Sequence, residues 1–357
     1  MGAILFLWGA CGDGESQNPS GGASSTSGTG GTGGTACAGG AMGAGGSTGS
    51  GGSMGSGGSK DEPIPLGIPG KFPDSASTTC SLGAAALPCP KAGEAGFGQD
   101  GNYEINIPVY TDNTEAVLDG VTGLYWQKNL MGAYSAADAQ SYCDGLSLGG
   151  FDDYRLPSRL ELISLSDHGK SNPALAPIFA KAGPSWTRTP YALGNPANTH
   201  WFVNATTGAA NFLDDALLNY ARCVRGPEFS GVLVKSKDGV VDQITGLEWQ
   251  RTALPVDGMD WQGALSYCES LVLGGASDWR LPSIKELHSI VDDSAAAEPA
   301  INTSVFGATK SGFYWSGTPE LGPANADAFG VQFVTGITAT QTTNSSGLIR
   351  CVRDYKP

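Results

Sequence analysis

The chain has 357 residues, 40% of them apolar, and a formal net charge of −14 at pH 7. This length is enough for two domains with hydrophobic cores of their own. The negative charge opposes electrostatic binding of nucleic acid, because phosphate binding needs clustered Lys and Arg. We therefore expect no nucleic-acid partner.

The first eleven residues predict export. Residues 3–10 are a short apolar run that ends in small residues directly before Cys11. This arrangement resembles the cleavage site of bacterial lipoproteins, so we predict a signal-like segment at 1–11 and a lipid anchor at Cys11. No Lys or Arg precedes the run, and it is shorter than a usual signal core, so we expect a truncated or misplaced start. The alternative is an apolar N-terminus without a role in export.

Residues 12–62 are predicted to be a disordered tether, because up to residue 59 they are nearly all Gly, Ser, Thr and Ala. Such a segment cannot bury enough apolar surface to offset the entropy lost on ordering. A flexible coil of about 48 residues would span roughly 35–40 Å, enough to hold a domain clear of a lipid surface. Cys37 has no evident partner and could be free or bridge two chains. The alternative is a linker without an anchoring role.

Residues 63–100 are predicted to be a Pro-rich lead-in that packs onto the first domain. The segment contains Cys80 and Cys89, nine residues apart. The Gly, Ala and Pro residues between them suit a small loop closed by a disulfide.

In the rest of the chain the same series of motifs occurs twice, in the same order. The step from Cys143 to Arg155 equals the step from Cys268 to Arg280. We therefore predict two tandem domains, at 101–227 and 228–357. The matched segments, first copy then second, are 121–127 and 244–250, 141–143 and 266–268, 154–158 and 279–283, 186–187 and 315–316, 207–208 and 335–336, and 222–225 and 350–353.

Each copy is predicted to be an α+β domain with two helices followed by a loop-rich antiparallel sheet. Residues 135–146 carry apolar residues at helical spacing. Ser158 with Glu161, and Ser283 with Glu286, are capping boxes that predict the start of a second helix in each copy. The predicted strands are 123–127, 201–203, 222–225, 329–334 and 350–353.

The first cysteine of each copy lies on the first predicted helix and the second on the last predicted strand. Pairing Cys143 with Cys223, and Cys268 with Cys351, would lock each helix to its own sheet; exchange between the copies is the alternative. Disulfides imply an oxidising compartment. No C-x-x-C pair is present and the chain has only three histidines, so we expect no structural zinc. We assign no metal-binding residue and no cofactor, and leave calcium binding open.

The motif order T-G-L-x-W-Q, Y-C, R-L-P-S-x-x-E-L, a Trp-bearing strand and a terminal R-C-V-R resembles the Lcl C-terminal domain-like family over residues 72–355. The resemblance implies tandem C-type-lectin-like domains, similar also to formylglycine-generating enzymes. The founding member is a collagen-like surface adhesin that binds sulfated glycosaminoglycans. This chain is acidic, and residues 12–59 lack the strict glycine period of a collagen stalk, so neither that ligand nor that stalk is carried over.

Aromatic faces beside amides and a guanidinium suit sugar stacking, and binding residues concentrate in loops. The candidates, from the stretch predicted to be irregular after each second helix, are Trp186, Arg188, Tyr191, His200, Trp201, Asn204, Tyr314, Trp315, Asn325 and Gln332. Core filling is the alternative for Trp186 and Trp315, because they match between the copies. Unmatched residues such as Arg188 and His200 are better candidates for specificity.

Other conspicuous residues are interpreted as structural. The arginines are expected to bond a buried carboxylate or backbone carbonyls within their own copy; they are Arg155, Arg222, Arg225, Arg280, Arg350 and Arg353. Trp126 and Trp249 are expected in the core. The acidic pairs at 152–153, 214–215 and 292–293 lack the spacing of a calcium loop, so we attribute them to surface solvation.

These features predict a lipoprotein of the outer membrane or cell surface, or a secreted protein, that binds an extracellular glycan or protein ligand as adhesins do. The alternative is a structural envelope or cell-contact protein that acts through protein–protein surfaces, with homo-oligomerisation left open. Catalysis is not expected, because the sequence has no H-E-x-x-H, G-x-S-x-G, P-loop or dinucleotide motif. Formylglycine-generating chemistry would need reactive cysteines, but the cysteines of the two copies are predicted to form structural disulfides.

Overall fold

The computed structural model describes residues 71–83, 85–194, 196–252, 257–321 and 326–356. Both copies belong to one compact unit, Ser59–Pro357. No helix within the described ranges is long and apolar enough to cross a membrane. Several predictions lie outside the described residues: the signal-like segment, the lipid anchor at Cys11, the tether with Cys37, the start of the lead-in and the candidate Asn325.

The described residues of the lead-in and the first copy together form eleven strands and two α-helices. The lead-in elements are β1 (Cys80–Leu82), β2 (Ala85–Leu87) and a 3₁₀ turn (Asp100–Asn102). Those of the first copy are β3 (Tyr110–Asn113), β4 (Ala116–Asp119), β5 (Tyr125–Gln127), β6 (Met131–Tyr134), α1 (Ala136–Asp144), α2 (Arg159–Ser164), β7 (Pro184–Pro190), β8 (Thr199–Asn204), β9 (Ala209–Asp214), β10 (Asn219–Ala221) and β11 (Val224–Arg225).

The second copy repeats this order with fewer strands and one extra short helix. Its elements are β12 (Leu233–Lys235), β13 (Gly239–Asp242), β14 (Leu247–Gln250), α3 (Trp261–Ser270), α4 (Ile284–Ser289), α5 (Thr303–Phe306), β15 (Phe313–Pro319), β16 (Asp327–Gln332), β17 (Ile337–Thr342) and β18 (Val352–Asp354).

The first sheet of each copy has four antiparallel strands in equivalent order, β11-β5-β4-β3 and β18-β14-β13-β12. A shared turn joins β4 to β5 and β13 to β14. Asp119 Oδ1 accepts a hydrogen bond from Val121 N (2.9 Å), and Asp242 Oδ1 accepts one from Ile244 N (2.9 Å). The Thr-Gly dipeptide ends this turn in a left-handed conformation (φ 76° at Gly123), which glycine adopts without strain.

Each copy contains a second sheet, so the prediction of one sheet after two helices was incomplete. In the first copy its order is β6-β10-β7-β8-β9, with β10 and β7 parallel. In the second copy it is β15-β16-β17. β7 and β15 run through the stretch that was predicted to be irregular. The physical reason is that their side chains are buried against helices far away in the chain, and the local sequence pattern does not show these long-range contacts.

The predicted helix starts are confirmed. Ser135 caps α1 by accepting a hydrogen bond from Asp138 N (3.2 Å). Ser158 Oγ accepts from Glu161 N (3.2 Å), while Ser158 N donates to the Glu161 carboxylate (2.8 Å). The box at Ser283 has the same two bonds. Each cap satisfies donors that a helix of only six residues would otherwise leave unpaired.

Each copy has two apolar clusters, one under the first sheet and one around its disulfide. The first cluster holds Trp126 in copy one and Trp249 in copy two, as predicted. The second cluster packs the first helix of the copy against the Trp-bearing strand of its second sheet. All three predicted disulfides are confirmed: Cys80–Cys89, Cys143–Cys223 and Cys268–Cys351.

The lead-in contacts both copies, although it was expected to pack onto the first alone. Ser75 O accepts a hydrogen bond from His168 N in the first copy (2.9 Å). The 3₁₀ turn lies against β15 of the second copy, and Tyr103, directly after the turn, donates its hydroxyl to Glu269 on α3. The lead-in therefore ties the two copies together.

Candidate functional site

Three of the predicted site aromatics are fully buried: Trp186, Tyr314 and Trp315. Trp186 donates its indole N–H to Tyr134 O (2.8 Å), and Trp315 donates its own to Met259 O (3.0 Å). Protein covers both rings and satisfies their polar atoms. These residues fill the core, and in this conformation they offer no face to a ligand.

Trp201 and Tyr191 form a second buried group rather than a loop platform. Trp201, on β8, is 2% exposed. Its ring meets Tyr191 edge-on at 5.2 Å between centroids, and the Arg159 guanidinium lies 5.2 Å from its centroid. Tyr191 stacks on Phe212 at 3.8 Å. Trp201 lies on a strand, as predicted for residues 201–203, but its selection as a ligand-binding residue does not fit the structure, because the ring is enclosed on both sides.

The remaining described candidates are half-buried and do not meet in one site. Arg188 pairs with Glu228 (2.9 Å), which lies in the linker between the copies. His200 Nδ1 contacts Asp215 Oδ1 (2.7 Å), close to the start of α1. Asn204 Oδ1 accepts a hydrogen bond from Thr206 N (3.0 Å) and so begins a Thr-Gly turn. Gln332 occupies the equivalent turn of the second copy, where its carbonyl accepts from Gly336 N (2.6 Å).

The conspicuous arginines bond a buried carboxylate or backbone carbonyls, as predicted, with the exception of Arg225, which bonds the exposed carboxylate of Asp153. Arg155 donates two hydrogen bonds to the Glu161 carboxylate (2.7 Å each), and Arg280 does the same to Glu286 (2.7 and 2.6 Å). Arg222 donates to three backbone carbonyls. Burial lowers the pKa of Arg222 to about 10, so it stays charged at neutral pH.

We call the contact surface between the two copies the seam. Its charged contacts come from positions at which the two copies carry different residues. Arg159 follows the capping serine of the first copy, where the second copy has Ile284. The Arg159 guanidinium crosses the seam to Asp293 Oδ1 (2.5 Å) and to His288 O (3.1 Å). Lys285, one position further along its own helix, donates across the seam to Ser164 O (2.8 Å). The unmatched charges therefore join the copies.

The ionisable groups in the seam are tuned by burial. Burial lowers the pKa of Lys285 to about 8 and that of His168 to about 3. His288 is also buried, and its pKa is lowered well below the usual value; its Nε2 contacts Thr338 Oγ1 (2.7 Å). Both imidazoles are neutral near pH 7. The charged groups of the seam donate to partners across it, so we assign the seam a structural role.

Asp100 fastens the lead-in to the second copy. Its carboxylate accepts hydrogen bonds from the hydroxyls of Ser75 and Thr318. Burial, followed by the neighbouring charge of Asp74, raises the pKa of Asp100 to about 7. This carboxyl therefore binds a proton in the folded state at a pH where the unfolded chain has released it.

We expect Asp100→Asn to remove part of the pH dependence of stability. Between pH 4 and pH 7 Asp100 binds a proton in the folded state but not in the unfolded chain, so its contribution to the free energy of unfolding falls as pH rises through this window. The amide does not titrate, so the variant should be more stable than wild type at pH 8, by about 1–3 kcal/mol. Urea unfolding at pH 5 and pH 8 measures this. Asp152→Asn, on an exposed carboxylate, is the control, and an unchanged pH slope in Asp100→Asn would contradict the expectation.

An exposed aromatic residue that the sequence analysis did not select lies at the tip of a tight turn. Gly149 and Gly150 adopt left-handed conformations (φ 61° and 82°) between Leu148 and Phe151, whose backbones exchange two hydrogen bonds. Phe151 is 47% exposed. The Arg225 guanidinium lies 3.7 Å from the centroid of its ring and 5.2 Å from that of Tyr125.

We call Phe151, Arg225, Tyr125 and the Gly149–Gly150 turn the Phe151 platform. Asp153 holds Arg225 in place, since its Oδ1 accepts from Arg225 Nε (2.6 Å). Cation–π stacking and this ion pair orient the ring. The Phe151 platform is thus a fixed aromatic surface on the first copy.

The second copy has the same turn without the ring. Gly274 and Gly275 repeat the left-handed conformations, and Ala276 takes the place of Phe151. Arg353, the equivalent of Arg225, donates hydrogen bonds to the carboxylates of Glu248 (2.5 Å) and Asp278 (3.4 Å). The mismatch of Phe151 with Ala276 after two shared glycines was the signal in the sequence that could have identified this residue.

Among the described residues, no group of three or more His, Cys, Asp or Glu side chains is placed to hold a metal ion. Asp153 bonds Arg225, and Asp293 bonds Arg159. Asp215 bonds His200. In each of the three acidic pairs noted in the sequence, at least one carboxylate therefore has a protein partner.

Comparison with known proteins agrees with the duplication. The sequence model of the Lcl C-terminal domain matches residues 115–225 and again residues 238–353. The two matches together cover more than half of the chain, and one falls in each copy. The predicted resemblance, in two tandem copies, is thereby confirmed. A search of curated proteins finds no match to this chain.

Proposed function

Because this chain belongs to the Lcl C-terminal domain family, we propose that it is an adhesin-like binding protein of the bacterial cell envelope. In this proposal the lipidated Cys11 anchors the chain, and the tether of residues 12–62 carries two C-type-lectin-like copies away from the membrane. The ligand is extracellular, a glycan in the first instance, and the protein performs no catalysis.

The disulfides support a location outside the cytoplasm. The four repeat cysteines are fully buried, each pair within its own copy. Buried disulfides of this kind form and persist in oxidising compartments such as the periplasm and the cell surface.

The observation that carries the binding proposal is a pair of solvent-accessible positions at which the copies differ, the half-buried Arg188 and the exposed Phe151. Arg188 N donates to Pro157 O (2.9 Å), and Gly317 N donates to Pro282 O (2.7 Å), so these two residues are equivalent. Phe151 is likewise equivalent to Ala276. The second copy folds with the smaller residue at both places, so the fold does not require Arg188 or Phe151. Side chains that are exposed but not required for folding are available for recognition.

A direct test uses the full-length oxidised protein on an array of neutral, acidic and sulfated glycans. We expect saturable binding to at least one class, and loss of that binding when the disulfides are reduced. An array without any bound glycan, together with no protein captured from extracellular matrix or neighbouring cells, would contradict the proposal.

A protein ligand is the second candidate, favoured by the way the lead-in covers the second copy. Thr318 accepts a hydrogen bond from Ile284 N (2.9 Å) and is fully buried under the lead-in, which bonds its hydroxyl through Asp100. The equivalent Thr189 accepts from Arg159 N (2.9 Å) but is only half-buried. The face that receives a polypeptide on one copy is open on the other. Light scattering of the full-length protein tests whether a second molecule of this chain binds the open face.

A further inference from the structure

We propose that the Phe151 platform is a sugar-stacking site that takes the face of an uncharged pyranose. The inference rests on the proposed glycan-binding function and names both the place on the protein and the class of sugar. It also differs from the sulfated ligand of the family's founding member.

The platform presents a ring that is already fixed before a ligand arrives. Arg225 covers one face of Phe151 at 3.7 Å and is itself held by Asp153, while nearly half of the residue stays exposed. A rigid aromatic surface loses little side-chain entropy on binding. The C–H groups on one face of a pyranose ring pack well on such a surface, because they are apolar and slightly electropositive against the ring's negative face.

The surface beside the ring is open. A Cβ atom added to Gly149 or Gly150 would meet nothing within 4 Å. A sugar lying on Phe151 can therefore approach the backbone of the turn. Backbone carbonyls and the carboxylate of Asp152, the next residue after the ring, are acceptors suited to sugar hydroxyls.

Formation of the turn does not require the aromatic ring of Phe151. The second copy forms the same turn with Ala276, and its two backbone hydrogen bonds to Leu273 are retained (3.0 Å each). An exposed phenylalanine contributes little to stability at a position where alanine serves equally well. A binding role accounts for the ring and for its absence from the second copy.

The charges around the platform select against anionic sugars. The guanidinium of Arg225 is already paired with Asp153. Glu115 accepts a hydrogen bond from Gly149 N (3.2 Å) and lies exposed beside the turn, and Asp152 is exposed as well. A sulfate or uronate group placed here would meet the carboxylates of Glu115 and Asp152, while the nearby Arg225 guanidinium is already paired with Asp153. An uncharged pyranose meets no such repulsion.

The test measures binding of the full-length oxidised protein to cellohexaose, mannohexaose, N-acetylchitohexaose and a heparin hexasaccharide by calorimetry. We expect at least one neutral hexasaccharide to bind and the heparin fragment to bind at least tenfold more weakly. Phe151→Ala and Phe151→Leu should each lower the affinity for the neutral ligand at least tenfold, whereas Phe151→Trp should keep that affinity within threefold of wild type. The leucine variant separates an aromatic face from simple apolar contact.

Leu218→Ala, which trims an exposed apolar residue elsewhere on the first copy, is the matched control and should leave binding unchanged. Circular dichroism should show Phe151→Ala folded, since alanine is the residue of the second copy. Neutral-sugar binding that does not change in Phe151→Ala would overturn the site while leaving the proposed function standing. Tighter binding of the heparin fragment, lost with Phe151, would overturn the class of sugar. No binding by any hexasaccharide would overturn the inference together with glycan binding itself.

Discussion

Replacing Cys143 and Cys223 by alanine is expected to lower the free energy of unfolding by about 4.5 kcal/mol. The bond closes a loop with a sequence separation of 80 residues, and its loss frees the unfolded chain to occupy many more conformations. Both sulfur atoms lie in the cluster that packs α1 against β7, so the native state also loses contacts. Urea unfolding of the full-length protein, with the other two disulfides oxidised, measures the change.

The lead-in disulfide is the matched control for loop length. Cys80 and Cys89 are separated by only 9 residues, so replacing both by alanine should cost about 2.6 kcal/mol in the same treatment. An equal loss in the two variants would show that the effect does not follow chain entropy. Mass mapping gives a sharper check on the premise: repeat cysteines found as free thiols, or linked between the copies, would contradict the pairing itself.

The sequence was sufficient for features that depend on residues a few positions apart. Ser158 and Glu161 specify a helix start through two hydrogen bonds within one turn, and the structure has both. The turn that ends at Gly123 is equally local. The duplication was visible because the two copies keep the spacing between such local signals.

The sequence was not sufficient where a side chain meets a distant part of the chain. The local pattern predicted an irregular stretch where β7 and β15 lie, because their burial depends on packing against helices elsewhere in the chain. A mismatch between the copies also had two different physical causes. Arg159 differs from Ile284 because it reaches across the seam to Asp293, whereas Phe151 differs from Ala276 at an exposed turn. Sequence alone cannot separate these causes, because it does not say which faces of the copies meet.

Trp201 shows the consequence of this ambiguity. It has no matching tryptophan in the second copy, where Phe329 occupies the equivalent strand position, and mismatch favoured a binding role. The structure instead places the edge of its ring against Gly336 of the second copy, where an added Cβ would lie 3.2 Å from Trp201 Cη2. The ring differs between copies because it packs in the seam.

Trp201→Ala is therefore expected to destabilise the protein by about 3–5 kcal/mol, the range for removing a large aromatic side chain from a core. The variant leaves a cavity between Tyr191, Phe212 and the Arg159 guanidinium, and that guanidinium loses the ring beneath it. Since the cavity borders both copies, we expect unfolding to become less cooperative, with a transition for each copy. Calorimetry and urea unfolding monitored by near-ultraviolet circular dichroism measure both effects.

Trp201→Phe separates packing from recognition, because it introduces the residue that the second copy carries at this strand position. It should lose less than half as much stability as Trp201→Ala, since most of the aromatic contact with Tyr191 and Phe212 is retained. Neither variant should change glycan affinity under conditions in which it is folded, because the ring has no face open to solvent. A Trp201→Ala protein with wild-type stability and no ligand binding would mean that the ring contacts the ligand, and the seam would then need a different explanation.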